Sequence, residues 1–105
     1  MRAEFENIEL IHNKAEQKFE LPYNGEVAFI HYEIKDGIYD LDETLAPEIL
    51  RGTGVAGALT EKVFQTLKAE GKKIFPTCPY LHKVIQRKPE WKEIVDKSYE
   101  KFGDL

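Results

Sequence analysis

The apolar pattern of this 105-residue chain changes period once, across a glycine-rich stretch at residues 50 to 59, LRGTGVAGAL. Before it, apolar residues recur at every second position, as on half-buried strands. After it, Val55, Leu59, Val63 and Leu67, flanked by Phe64, recur at about every fourth, as on one face of a helix, with Glu61, Lys62, Gln65 and Lys68 on the other. A chain patterned this way places strands first and a helix behind them, joined by a tight loop.

Upstream, Ile8 to His12 and Gln17 to Leu21 read as two short strands, and the Asn-Gly of Pro22 to Gly25 (PYNG) as a hairpin turn. Glu26 to Lys35 alternates cleanly. Asp36-Gly37 turns the chain into a further strand, Ile38 to Ala46, with Tyr39, Leu41, Glu43 and Leu45 on one face and Ile38, Asp40, Asp42 and Thr44 on the other, ended by Pro47. Downstream, Gly71 caps the helix, and Lys73 to Cys78 is a short strand parallel to the one before the helix. Its Pro76 marks an edge or a bulge. A helix starts at Pro79 and stops before Pro89, and Trp91 to Phe102 has helical spacing. The expected fold is α+β: four antiparallel strands, one β-α-β crossover and two C-terminal helices, in a single domain over residues 1 to 105.

Charge narrows the partners. A net charge of −4 speaks against general attraction to nucleic acid. Residues 1 to 50 hold 4 Lys/Arg and 12 Asp/Glu, net −8, and residues 51 to 105 hold 11 and 7, net +4. That asymmetry suits a polyanion on the second half and a cation near the first. The acidic N-terminus does not read as a signal peptide and no apolar run is long enough to span a bilayer, so a cytoplasmic protein is expected. One cysteine, Cys78, allows no internal disulfide and no thiolate metal site, and no metal is expected.

The glycine loop fits a phosphate. Gly52, Gly54 and Gly57 match GxGxxG, yet four strands precede the loop and Lys72-Lys73, not an acid, stand about 20 residues on, which rules out the dinucleotide fold. Ala58-Leu59 after Gly57 rules out the Walker loop. What remains is a run of amides from Gly52 to Ala56 aimed above a helix N-terminus, with the fixed charge of Arg51 beside it, a seat for a pyrophosphate. Gly57 lets the helix pack closely.

Three stretches, TLAPEILRGTGVAGAL, PTCPY and RKPEW, resemble in order and spacing the small YjdJ-type branch of the GCN5-related N-acetyltransferases (GNAT family), over about residues 26 to 95. Arg51, Gly54 and Ala56 match that family's RxxGxA coenzyme A loop. The resemblance implies acetyl-CoA between two splayed parallel strands, with its pantetheine arm along Thr44, Leu45 and Ala46. Its pyrophosphate is expected on Arg51, Gly52, Thr53, Gly54, Val55 and Ala56.

Acetyl transfer needs a base, donors for the thioester oxygen and a proton for the thiolate. Glu43 is the candidate base, although the resembling family usually has histidine there. Cys78, directly before a helix N-terminus, is either an acyl-accepting nucleophile served by His82 or His31, or part of the thioester pocket wall. Tyr80 is the candidate acid for the thiolate. Lys72, Lys83, Arg87 and Lys88 form a basic rim that either meets the adenosine 3′-phosphate or faces solvent, and Trp91 belongs to the core. The chain lacks the N-terminal helices that usually shape an acceptor pocket, so that site is open or completed by a partner. The alternative to an N-acetyltransferase is a non-catalytic acyl-CoA binding module acting through a protein partner.

Overall fold

Two Asn/Asp-Gly turns organise the front half of the molecule. The computed structural model describes residues 2–105, and in it Asn24-Gly25 and Asp36-Gly37 all adopt positive φ, between 50° and 79°. This is the backbone geometry that joins antiparallel strands through two residues without splaying them. They connect β2 (Lys18–Tyr23), β3 (Glu26–Lys35) and β4 (Ile38–Leu45), and β1 (Ile11–Asn13) pairs with β2 on the outer side. The first strand therefore starts later than its sequence suggests, because a short helix, α1 (Ala3–Glu6), and its trailing turn occupy the chain up to it.

The glycine loop leads into α2 (Val55–Ala69), and the crossover ends in β5 (Ile74–Phe75), parallel to β4, giving a mixed sheet in the order β1-β2-β3-β4-β5. Gly71, at φ 69°, closes α2: its N–H bonds the Lys68 carbonyl, and the Lys72 N–H bonds that of Leu67. That double closure is a Schellman cap, and it needs a left-handed residue at this position. β5 stops at Phe75 because Pro76 has no N–H for the ladder. After it comes α3 (Pro79–Arg87), with Pro79 at the favoured first position.

One face of the sheet is covered and the other is open. Phe19, Leu21, Ala28, Ile30, Tyr32 and Leu41 are buried on the covered face, packed with Val55, Leu59, Val63, Phe64 and Leu67 of α2 and with Leu81 and Ile85 of α3. At about 1.5 to 3 kcal/mol for each large apolar side chain buried, this layer is what holds the helices on the sheet. Val27, Phe29, His31 and Glu33 of β3 point the other way and are partly or largely exposed.

The segment Trp91 to Phe102 departs from the expected helix. It forms a 3₁₀ turn at Pro89–Ile94, an isolated parallel bridge of Val95 to Ile74, further turns and a last 3₁₀ turn at Phe102–Asp104. Asp96 breaks the helix by accepting from both the backbone N–H and the hydroxyl of Ser98, at 3.0 and 2.6 Å. In exchange Val95 and Asp96, whose N–H bonds the Ile74 carbonyl, cover the outer edge of β5 that a helix would leave bare.

Candidate active site

β4 runs on past its partner. Pairing with β5 stops at Asp40 opposite Phe75, and one more hydrogen bond joins the Cys78 N–H to the Leu41 carbonyl at 3.0 Å. From Asp42 to Leu45, among the described residues, no strand pairs with β4 on that side. The sheet is thus split at this end, with the β4 edge as one wall and Cys78 with the start of α3 as the other. Asp40, buried at 5% exposure, pins the closed end of the split: it pairs with Lys35 at 2.7 Å and accepts from the Thr77 hydroxyl. Its carboxylate holds the Lys35 ammonium above its ordinary pKa.

A bulge decides which side chains face which side of the split. Leu41 stands opposite Tyr32 and Glu43 opposite His31, so Asp42 is the extra residue. Leu41 and Thr44 therefore share the covered face, and Glu43 and Leu45 join His31 and Phe29 on the open one. The strict alternation expected from the sequence put Glu43 and Leu45 with Tyr39 and Leu41, and the bulge overturns it. Cys78 is buried, and its thiol donates to the Thr44 hydroxyl oxygen at 3.4 Å across the split.

The glycine loop follows β4 through the 3₁₀ turn Glu48–Leu50. Gly52 and Gly54 take φ of 83° and 87°, a conformation that a residue with a Cβ adopts at a cost of about 1 to 2 kcal/mol. Thr53 folds back, its hydroxyl donating to the Leu50 carbonyl at 2.6 Å and accepting from the Val55 N–H at 3.3 Å. The amides of Gly52, Gly54, Ala56 and Gly57 find no acceptor among the described residues, at the N-terminus of a 15-residue helix. Orphan donors at such a terminus fit an anionic phosphate group. The Arg51 side chain is 82% exposed and, among the described residues, held by a 3.9 Å contact to Glu48, so it can turn toward such a group.

Sequence reasoning missed the N-terminal contribution. The Arg2 guanidinium donates to the Thr53 carbonyl at 2.8 Å, and Arg2 and Phe5 both lie 3.7 Å from where a Cβ on Gly54 would stand. A second cation thus sits on the loop, brought there from 51 positions away in the chain, which no local pattern reports. Gly57 also behaves differently from the close-packing role expected of it. A Cβ there would meet nothing within 4 Å, and the residue lines two grooves at the start of α2.

The other candidates fall into place around α3. Tyr80, 38% exposed, lines a cavity of about 200 Å³ between α2 and α3 with Gly57, Thr60, Phe64, Arg87, Lys88 and Trp91. Trp91 is half-buried there, edge-on to Phe64 with centroids 5.4 Å apart. Arg87 and Lys88 therefore reach the helix start. Lys72 does not: it stands past the far end of α2, a helix about 22 Å long at 1.5 Å per residue. Lys83 is exposed on α3. His82 is committed elsewhere. The Tyr99 hydroxyl donates to the Pro76 carbonyl at 3.0 Å, so at 2.8 Å it accepts from His82 Nδ1–H, and the ring braces the C-terminal segment. His31 lies on the open face and Cys78 against Thr44 on the covered one, so neither histidine is placed to activate the thiol.

Residues 18–94 match the family model described as GCN5-related N-acetyl-transferase. The chain belongs to this family. The matched GCN5-related region runs from β2 to the end of the 3₁₀ turn after α3, and so contains the split, the glycine loop and both long helices. The chain is also similar to Protein NATD1 of Gallus gallus and of Mus musculus, each 29% identical over 85 residues covering 78% of this chain and 77% of the relative. The GCN5-related family in general uses acetyl-CoA as co-substrate for acetyl transfer to an acceptor. Among the described residues no helix is long and apolar enough to cross a membrane.

Proposed function

We propose that this chain is an N-acetyltransferase that moves the acetyl group of acetyl-CoA to the amine of a small molecule or a peptide. The observation that carries the reading is the unpaired edge of β4, followed after a short turn by a helix N-terminus where the Gly52, Gly54, Ala56 and Gly57 amides find no acceptor among the described residues. The first suits an extended arm with amide groups, as a strand partner would bind. The second suits a pyrophosphate.

Arg51, Gly52, Thr53, Gly54, Val55 and Ala56 would hold the phosphates, aided by Arg2. Thr44, Leu45 and Ala46 would pair with the pantetheine arm, and Arg87 and Lys88 would meet the outer phosphate. When bound, the coenzyme supplies an activated acyl group as a thioester. N–H groups on the free edge of β4 are available to the thioester oxygen, where preorganised donors contribute most to acyl transfer. Tyr80 supplies a proton to the departing thiolate. Cys78 lines the pocket: its thiol is buried and bonded to Thr44, with neither nearby histidine serving it, which favours direct transfer over an acyl-cysteine. Glu43, exposed on the open face, offers negative charge to a cationic acceptor and is a candidate to take its proton.

The second reading, a non-catalytic acyl-CoA module acting through a protein partner, is favoured by Glu43 standing where the resembling family usually has histidine. Both readings require coenzyme binding, so turnover separates them. Thiol release from acetyl-CoA is measured with lysine-bearing peptides, a polyamine and an aryl amine. Release above buffer with one of them, absent from a Gly54→Val control, is expected. Tight coenzyme binding with no release for any amine would establish the module instead.

A further inference from the structure

The open side of the split carries a histidine already oriented by a carboxylate. His31 of β3 stands directly across from Glu43, and its Nδ1 lies 2.7 Å from Asp42 Oδ1, the bulge residue. The ring is one quarter exposed and Asp42 about one third, so the pair is reachable from solvent without being fully hydrated. Aspartate above its carboxyl pKa only accepts, so Nδ1 must carry the hydrogen in this bond, and in the neutral ring the lone pair is then left on Nε2. The geometry points to His31 as the catalytic base of this enzyme, taking a proton from the acceptor ammonium through Nε2, with Asp42 as its positioning residue.

The inference rests on the acetyltransferase reading and deepens it. Thr44 and Cys78 mark the covered side of the split, and α2 and α3 fill that side, so an acceptor has to arrive from the open face, where His31 and Glu43 stand. Imidazole is the side chain whose ordinary titration range brackets neutral pH, whereas an ordinary carboxylate lies more than about two units lower. A base matched to the working pH is the more effective one. The division of labour follows: Glu43 attracts the ammonium by charge and His31 deprotonates it. In the step, one ammonium proton passes to Nε2 and the neutral nitrogen bonds the acyl carbon. The carbon–sulfur bond breaks with its electron pair on sulfur, which takes the Tyr80 proton, the second nitrogen proton restores Tyr80, and His31 releases its proton to water. The bulge explains how Asp42 comes to serve: as the extra residue of β4 it has no counterpart on β3 and is free to bend toward the ring.

The charged groups around His31 are Asp42 and Glu43 from β4, Lys18 opposite it on β2, and Glu33 on its own strand. The Glu33 carboxylate, the Asp42 carboxylate and the ring nitrogen lie within 4.8 Å of one another. Lys18 rests its ammonium on the Phe29 ring, 4.2 Å from the centroid.

The test compares wild type with His31→Gln and Asp42→Asn, using a lysine-bearing peptide and 4-methoxyaniline as acceptors, and measures acetyl-CoA affinity by calorimetry. His31→Gln is expected to lower kcat with the peptide by about 10² to 10³, within the range of general base catalysis, with coenzyme affinity unchanged. The variant's rate should climb with pH as the amine loses its own proton, and the loss with the aryl amine, already neutral, should be below about fivefold. Asp42→Asn should show a smaller loss with the same dependence on acceptor basicity. Nitrogen NMR of wild type should find the neutral His31 ring carrying its proton on Nδ1 and bare at Nε2. Equal losses for both acceptors, or an Nε2–H tautomer, would overturn the assignment and leave the acetyltransferase reading intact. So would activity lost in EDTA and restored by zinc, which would give the cluster to a cation. A wild type that binds acetyl-CoA and acetylates neither amine would overturn both.

Discussion

Replacing Gly57 by alanine should make the protein more stable and bind coenzyme less well, two effects of opposite sign from one methyl group. Gly57 sits at the third position of α2 with a helical φ, and the methyl would meet no atom within 4 Å. Alanine in a helix is favoured over glycine by about 0.5 to 1 kcal/mol, and the lower end applies in the first turn, where fewer backbone bonds depend on the residue. For a domain of this size about 0.5 kcal/mol corresponds to a Tm rise of roughly 2 to 4 °C. The same methyl projects into the two grooves that flank the helix start, one with Tyr80, Arg87 and Lys88 and one with Arg2, Phe5 and Gly54. A coenzyme lying over them must shift or lose contacts, for a cost of about 1 to 2 kcal/mol, a five- to thirtyfold rise in Kd. Differential scanning calorimetry without ligand and titration calorimetry with coenzyme A read the two quantities separately. A fall in Tm would show that the position is packed after all. An unchanged Kd would show that the ligand does not cross this surface, and the placement of the phosphates would have to be redrawn.

Arg2→Ala removes the second cation at the loop and should raise the Kd for coenzyme A about fivefold, close to 1 kcal/mol, in low salt. The gap to wild type should narrow as salt screens the charge, which a titration series in sodium chloride checks. Asp40→Ala removes the carboxylate shared by Lys35 and the Thr77 hydroxyl, leaving Thr77 its longer bond to the Leu41 carbonyl, and should cost about 1.5 to 3 kcal/mol in urea unfolding. A loss under 0.5 kcal/mol would mean that the closed end of the split is held by something else. Burial, with Lys14 nearby and Glu70 partly opposing, lowers the pKa of His12 below its ordinary 6.5, so the unfolded chain takes its proton first as pH falls. Stability should therefore drop as pH falls from about 7 through 6.5 to the folded value and level off below it. Thermal melts of wild type against His12→Gln across that window should show the slope reduced in the variant.

Much of this architecture is legible in the residues themselves. The Asn24-Gly25 and Asp36-Gly37 turns, the four-residue period of Val55 to Leu67 and the cap at Gly71 are local signals, and each sits where its backbone chemistry requires it. The bulge is not local. Between Leu41 and Leu45 the strand is polar, and Leu45 keeps a false alternation although it is 43% exposed on the other face. Only the pairing with β3 reveals that Asp42 is supernumerary. Trp91 to Phe102 has helical spacing, but its apolar residues answer a need created 20 residues earlier, the bare edge of β5 after Pro76. Arg2 reaches the loop across the whole first half of the chain. The neighbourhood of His31 depends on the same register shift, which is why a histidine on a well-defined strand gives no sign from sequence that it faces a carboxylate pair.

The free edge of β4 also bears on how the protein behaves in the absence of its ligand. An unpaired strand segment is a template for another chain, and Val95 protects the outer edge of β5 but nothing comparable lies along Asp42 to Leu45 among the described residues. Two adjacent acids, Asp42 and Glu43, stand in that segment and repel an identical copy. Self-association would therefore be held back at neutral pH by charge alone, and coenzyme would act as a chaperone for the fold by filling the vacant strand position. Preparations with no coenzyme added and with salt high enough to screen these charges are the ones most exposed to aggregation through this edge.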